Sequence, residues 1–487
     1  MKRAIVWFRQ DLRLSDNSAL FNACNECDEV IPVFIDDSVD AVISQSSSAL
    51  GRASRVWLHH SLKSLNADLQ THKSTLVLRQ GRALDVLETL IKDTQATHVY
   101  WNRCYEPEVR ERDEQIKSTL KKSITVQSFK GNLLLEPWEG LKNDGTPYRV
   151  FTPYWKALMR DYVITTPLPI PDNFRPSETP PESLALNDLD LLPSTPTPNW
   201  DKGMMAHWQV GETAAHNRFQ AFLEDGVANY KERRDFPAIG GTSLLSPQLH
   251  FGEISPLQMF YIARDFETQN AQPTEYEHSS PLVENGIGHI LRQTVWREFA
   301  HSLLYYFPQT VTQPLYEKYA AFEWRNSESD LKRWQQGMTG FPIIDAGMRQ
   351  LYATGYMHNR VRMIASSFLC KNLLIHWREG EAWFRDTLVD ADLANNTLGW
   401  QWVAGCGADA APYYRIFNPL LQSEKFDKQG EYIRRWVPEL SELSNKEIHQ
   451  PSAELAKQCG YPEAMVDLKA TRERALDRYA ELRKTFV

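Results

Sequence analysis

Several groups of residues in this chain have types and spacings that could do chemistry. Gly240-Gly241-Thr242-Ser243-Leu244-Leu245-Ser246-Pro247 joins free backbone N–H groups and hydroxyls to a proline suited to a helix start. That combination suits a phosphate group, although a capped loop between two helices has the same composition. Asp390-Ala391-Asp392 has the look of a metal site, but no histidine or third carboxylate follows at ligand spacing. From Ala346 to Arg378 there is no Asp or Glu, while Arg349, Arg360, Arg362, Lys371 and Arg378 carry five positive charges. This stretch reads either as helices whose arginines meet acids from elsewhere or as a surface for phosphates. Pairing of one of the two aspartates with a buried guanidinium is preferred to a metal. No metal is therefore expected. Cys24 and Cys27 form a lone C-x-x-C with no second pair, and incidental cysteines are the better reading. No Ser-His-Asp nucleophile can be inferred from spacing.

Tryptophan is the compositional oddity, at 15 of 487 residues. Several sit beside polar groups, as in Trp296-Arg297-Glu298 and Asn395-Asn396-Thr397-Leu398-Gly399-Trp400-Gln401-Trp402. Packing and stacking both remain open on pattern alone.

Five short apolar runs must position the N-terminal part: Ala4–Phe8, Val30–Ile35, Leu76–Leu78, His98–Trp101 and Ile124–Phe129. Helical stretches such as Val56–Leu69 and Glu108–Leu120 separate them, which predicts a parallel, Rossmann-like α/β sheet. The dinucleotide fingerprint and the phosphate loop are both absent after the first strand. Nine prolines between residues 166 and 200 predict an extended connector. Beyond Gly211 helical periodicity dominates, with Glu212–Leu223, Ile287–Phe307, Ser327–Gln336, Ile343–Ala353 and Arg362–Trp377 the clearest segments. The expected plan is an α/β domain over 1–130, a proline-rich linker over 131–205 and a large all-α domain over 206–487.

Composition excludes several classes. No run approaches the roughly 18 apolar residues of a membrane span, and charges at Arg9, Asp11 and Arg13 leave no signal-peptide core. A cytoplasmic, monomeric protein with no membrane partner is expected. The net charge of −8 does not announce a nucleic-acid binder, yet it averages over one locally basic stretch.

Longer motifs carry a resemblance. Val6-Trp7-Phe8-Arg9-Gln10-Asp11-Leu12-Arg13 with Asp16-Asn17 is similar to the opening of the DNA photolyase/cryptochrome family. So are Tyr230 through Asp235-Phe236-Pro237, Trp296-Arg297-Glu298-Phe299, Met357-His358-Asn359-Arg360, Trp377-Arg378-Glu379-Gly380-Glu381 and the run from Asp390 to Asp427. The chain most resembles the bacterial cyclobutane pyrimidine dimer photolyases. That implies an α/β antenna domain and a helical FAD domain, and the activity of a carbon–carbon lyase on UV-damaged DNA, single- or double-stranded.

The resemblance also implies roles. Tyr230, Thr242, Ser243, Leu245 and Ser246 would hold the FAD phosphates and ribitol. Arg297, Arg362, Asp390 and Asp392 would frame the flavin, and Asn396 would face its N5. Trp400, Trp377 and Trp324 match an electron relay. Trp296 and Trp402 match walls that stack on a flipped-out dimer, with Asn359 and Met363 in the same pocket. Arg234, Arg360 and Gln422 match positions near the DNA strand. A second antenna chromophore, folate or deazaflavin, is implied; Ala53-Ser54-Arg55-Val56-Trp57-Leu58 resembles a folate-binding subgroup.

Gln293 departs from the pattern, since dimer-specific members carry Glu there. Gln donates a hydrogen bond but has no proton to give up. This keeps a cryptochrome-type photoreceptor as the alternative. A photolyase for the (6-4) lesion ranks lower, because Asn359 stands where such enzymes carry His.

Overall fold

The computed structural model describes residues 1–193, 200–270, 286–410 and 414–484. Five parallel strands form one sheet in the order β3-β2-β1-β4-β5: β1 Arg3–Phe8, β2 Glu29–Asp36, β3 Val77–Gln80, β4 His98–Asn102 and β5 Thr125–Phe129. All five expected runs are strands. The inner strands β1, β2 and β4 are buried almost throughout because helices cover both faces of a parallel sheet, whereas the edge strands β3 and β5 carry exposed polar residues. Successive side chains alternate between those faces. Ile5, Trp7, Ile31, Val33, Val99 and Trp101 pack with Leu87, Leu90 and Ile116 on one side. Ala4, Val6, Phe8, Val30 and Phe34 pack on the other with Leu20, Val56, Trp57 and Leu62.

That second cluster does not stop at the sheet domain. Met204, Phe251 and Val389 of the helical part belong to it. The junction is polar as well as apolar. Arg13 is fully buried and donates to the carbonyls of Asp16, Gly131 and Gly252. Glu212 accepts from the backbone N–H groups of Leu14 and Ser15 at 2.6 and 3.1 Å, and Trp57 Nε1 donates to Glu253 at 2.9 Å. At Gly252, with φ +66, any Cβ would lie 2.0 Å from the Gln10 carbonyl oxygen. The Arg9–Asn17 motif is thus a structural latch between the two parts. Ala53, Ser54, Val56, Trp57 and Leu58 are buried in the same junction, with Ser54 Oγ donating to the Leu388 carbonyl.

Two segments differ from the sequence expectation. Residues 131–205 are not a plain connector. They contain the helix Phe151–Asp161, the 3-10 turn Leu186–Leu189 and the start of helix Trp200–Met205. Phe151, Tyr154, Trp155 and Leu158 enter the helical core beside Phe219, Phe260 and Phe299. The nine prolines of 166–200 all follow that helix, which itself carries Pro153 in its first turn; Pro196 and Pro198 lie outside the described residues.

The second difference is Arg362–Trp377, which is not one helix. The helix Asn359–Ser367 runs into a π-turn at Phe368–Asn372, Leu374 takes a left-handed φ of 54, and a new helix Trp377–Thr387 begins. His376 starts it, its Nδ1 accepting from Arg378 N at 3.1 Å. Continuous apolar periodicity concealed the break. The final helix, Leu468–Lys484, seats Ala475 and Leu482 against Phe322, Leu374 and Tyr414. No helix among the described residues is long and apolar enough to cross a membrane.

Candidate functional site

The helical body encloses a cavity of about 690 Å³, within the range of pockets that hold drug-sized or cofactor-sized ligands. Sixteen of the residues singled out from sequence line it: Tyr230, Thr242, Ser243, Leu245, Ser246, Gln293, Trp296, Arg297, Asn359, Arg362, Met363, Asp390, Asp392, Asn396, Trp400 and Trp402. They arrive from separate elements. The helix Gly286–Tyr306 brings Gln293, Trp296 and Arg297; Leu393–Ala404 brings Asn396, Trp400 and Trp402; the 240–247 loop brings the hydroxyls.

One end of the wall is a polar frame. Arg362 Nη2 meets both oxygens of Asp390, at 3.0 and 2.9 Å, and Ser246 Oγ donates to the same carboxylate at 2.6 Å. Asp390 therefore answers a guanidinium. Asp392 has a different partner, His301, whose Nε2 lies 3.3 Å away. Burial alone would raise the Asp392 pKa, but His301, Arg297 and His250 hold it well below the ordinary carboxylate range. His301 is pulled the other way, upward against its burial by Asp392. Asp392 also caps the helix Leu393–Ala404 by accepting from Asn395 N at 2.8 Å. Arg297 Nη1 donates to the Asn132 carbonyl at 2.6 Å. Asn396 is held from behind, its Nδ2 donating to the Glu381 carbonyl and carboxylate at 3.1 and 2.9 Å. Its amide oxygen is thereby left as the group available to the cavity.

Leu244, also in the wall, has φ 54. A branched residue held left-handed is strain stored in the 240–247 loop. The helix that follows, Ser246–His250, is a single turn, so hydroxyls rather than a helix dipole make this edge polar.

The other end is aromatic. Trp296 and Trp402 are both partly exposed on the cavity. Trp402 is fixed by Nε1 donating to the Asp409 carbonyl at 3.0 Å. Asn359 and Met363 sit one helical turn apart beside them, Nδ2 to Sδ 4.0 Å.

Five sequence-chosen residues lie elsewhere. Trp324 and Trp377 line a separate cavity of about 160 Å³ with His376 and Tyr414. The His376 ring stands between them, its centroid 5.1 Å from Trp324 and 5.5 Å from Trp377. Trp400 packs directly on Gly380, where a Cβ would fall 2.0 Å from its ring, one turn from Trp377. Arg360 is paired with Asp235 at 2.8 Å and lies 4.4 Å from the Phe426 centroid. Arg234 lies over Tyr230, and Gln422 is half-buried.

The basic stretch is corrected here. Arg349 meets Glu439 at 2.7 Å, Arg360 meets Asp235 and Arg362 meets Asp390. Lys371 is buried, 3.0 Å from the Ala404 carbonyl and 3.2 Å from the Tyr414 ring centroid. Acids distant in sequence neutralise most of this charge, so it is not an open phosphate surface. Cys24 and Cys27 are buried free thiols, with pKa values pushed up to about 12 and about 11 by burial, which makes them unreactive. Among the described residues no group of three or more His, Cys, Asp or Glu is placed to hold a metal ion.

Sequence reasoning missed His250, His301, Glu381, Tyr356 and Phe384. A signal existed for two of them: His301 follows Arg297 by one turn, and Glu381 lies in the quoted Trp377–Glu381 motif. The buried Nδ1 of His250 and Nε1 of Trp400 lack a partner among the described residues, and both residues face the cavity. Orphaned donors and acceptors of this kind await a polar ligand. With the Arg362–Asp390 pair and the hydroxyl edge, the wall fits the heteroatom rim of a flavin dinucleotide.

A parallel α/β unit latched to a helical body around such a cavity defines a two-domain flavin-binding class. Profiles described as DNA photolyase and as the FAD-binding domain of DNA photolyase match residues 4–172 and 290–481. The chain is 45% identical to a deoxyribodipyrimidine photo-lyase of Agrobacterium fabrum, over 99% of this chain and 98% of that protein. It is 38% identical to Cryptochrome-2 of Arabidopsis thaliana, over 92% of this chain and 72% of that one. The crystal structure of a bacterial class III photolyase from Agrobacterium tumefaciens superposes with a TM-score of 0.91 at 44% identity, covering 99% of this chain and 98% of its own. The chain belongs to the DNA photolyase/cryptochrome family, and its helical unit is that family's FAD-binding domain.

Proposed function

We propose that this protein is a light-dependent DNA-repair flavoenzyme that splits cyclobutane pyrimidine dimers. One observation carries the reading. A single cavity joins a flavin-type polar frame to a mouth lined by two tryptophans with accessible faces. The strong similarity to a deoxyribodipyrimidine photo-lyase supports it.

When bound, reduced FAD supplies an electron on absorbing blue or near-UV light. The protein's own part is positioning. Arg362, Asp390 and Ser246 orient the ring system, and Asn396, braced by Glu381, offers its amide oxygen at the ring edge. Tyr230, Thr242, Ser243 and Leu245 would hold the phosphates and ribitol, and Arg297 and Asp392 would complete the frame around the flavin. Trp296 and Trp402 receive the two unstacked pyrimidines, each contact worth roughly 1–3 kcal/mol, and exclude water from them. A damaged base costs least to unstack, which favours dimers over intact sequence. Gln293, on the face of Trp296 and one turn away, is placed to donate a hydrogen bond to the lesion. Trp400, Trp377 and Trp324 are the residues that would relay electrons between the surface and a bound flavin. The protein acts as a monomer on single- or double-stranded DNA, over domains 1–130, 131–205 and 206–487. Arg234, Arg360 and Gln422 flank the strand, Arg360 through an ion pair that the DNA must share. A second chromophore, folate or deazaflavin, serves the α/β unit.

Gln293 and the similarity to Cryptochrome-2 favour a second reading, a photoreceptor without repair. One assay separates them. Pre-reduced protein is mixed with dimer-containing DNA and illuminated with blue light. Recovery of absorbance at 260 nm above the dark control is expected, and no recovery would leave the photoreceptor.

A further inference from the structure

Trp296 is not a free-standing wall. Phe151, fully buried, lies flat against it, with ring centroids 3.7 Å apart and planes 6° from parallel. Arg292 lies close by, its guanidinium carbon 5.3 Å from the Phe151 centroid and 5.8 Å from that of Trp155. Phe299 meets both stacked rings edge-on, at 5.9 Å and 72° to Phe151 and 5.8 Å and 76° to Trp296. The order is phenyl, indole, cavity.

Face-to-face contact at this distance is unusual, because edge-on and offset arrangements are preferred between aromatic rings. Here Phe299 supplies an edge-on contact to each of the two rings, and the Arg292 guanidinium is near enough to Phe151 to be attracted to its ring. The arrangement therefore costs little locally and closes one whole face of the indole. An indole with one face sealed cannot turn edge-on to the cavity without opening a void behind it.

We propose that Phe151, from the segment that joins the two domains, is a positioning residue for the substrate wall: it holds Trp296 flat so that its free face is presented to a base. This rests on the reading of Trp296 as a stacking wall for DNA. Phe151 touches neither the cavity nor the polar frame, and its effect runs through Trp296 alone. The chain segment before the prolines is thereby part of the site.

The test is dark equilibrium binding, by fluorescence anisotropy, of FAD-loaded full-length protein to one oligonucleotide with and without a thymine dimer. Wild type must first prefer the dimer; if it does not, the dimer-repair reading fails, whatever Phe151 does. Given that preference, Phe151→Leu, which keeps volume and removes the flat ring, is expected to weaken dimer binding about tenfold. Affinity for undamaged DNA and flavin absorbance near 450 nm should not change. The double variant Phe151→Leu/Trp296→Ala should bind no more weakly than Trp296→Ala alone. Unchanged dimer affinity in Phe151→Leu, an additive loss in the double variant, or loss of bound flavin would each overturn the proposal. The last would make Phe151 a fold residue only.

Discussion

Trp7 and Trp296 are the same residue put to opposite use. Trp7, in β1, is 1% exposed, with Arg9 and Arg112 at 4.6 and 4.9 Å from its ring centroid and Trp101 edge-on at 5.8 Å. Every approach to that ring is closed by the chain itself. Arg9 and Arg112 are held in turn by Asp113 and Asp37, so the guanidiniums at the carboxyl end of the sheet are paired within the chain. Trp296 has one face sealed by Phe151 and the other on a cavity whose His250 and Trp400 nitrogens lack partners. Unpartnered nitrogens occur around both rings, since Trp7 Nε1 and Trp101 Nε1 also lack a partner among the described residues; what separates the two tryptophans is that Trp296 opens one side to a cavity and Trp7 opens none.

The comparison can be broken in order of expected effect. Arg362→Ala leaves the Asp390 carboxylate, 4% exposed, without its cation. Loss of a buried partner costs about 3–5 kcal/mol, so FAD affinity should fall by about 100-fold or more in a flavin titration. Retained affinity would mean that the frame is structural. Trp296→Ala should weaken dimer binding by about tenfold or more while sparing flavin content. Trp377→Phe should slow flavin photoreduction several-fold yet leave repair by pre-reduced enzyme intact; equal photoreduction rates would refute the relay. Trp7→Phe should lower stability by about 1–2 kcal/mol, read as a few degrees of Tm, with no change in either ligand. A functional loss there would erase the contrast.

A separate effect, on the pH dependence of stability and on neither ligand, concerns Lys371, whose pKa burial lowers from 10.5 to about 7. Between those values the unfolded chain binds the extra proton and the folded one does not, so this residue makes stability rise with pH from about 7 to about 10. Lys371→Met should flatten that rise by a few kcal/mol in urea unfolding at neutral and alkaline pH. Parallel slopes would show that the ammonium is solvated.

Much of this was readable in the chain, and the reasons are physical. Strands β1, β2 and β4 are apolar runs because both of their faces are buried, and the Arg362–Asp390 pair was foreshadowed by a stretch without acids. What escaped depends on contacts distant in sequence. Nothing near Arg360 announces Asp235, and nothing in a proline-bounded segment announces that Phe151 stacks on Trp296. The break at Leu374 was hidden because residues on both sides of it are equally apolar, so periodicity carried no mark of the turn. His301 was overlooked although it follows Arg297 by one helical turn, because that spacing puts it on the face of Arg297 without naming its partner, Asp392, which is distant in sequence.

The junction at Gly252 carries a further consequence. With the Gln10 carbonyl in contact with the Gly252 backbone and Trp57, Phe251, Val389 and Met204 in one core, the α/β unit and the cavity cannot rotate relative to each other. A pigment held in the α/β unit would keep one transition-dipole orientation toward the flavin in every molecule. Excitation transfer depends steeply on distance and angle, so its efficiency would be set by the fold and not averaged over domain motion.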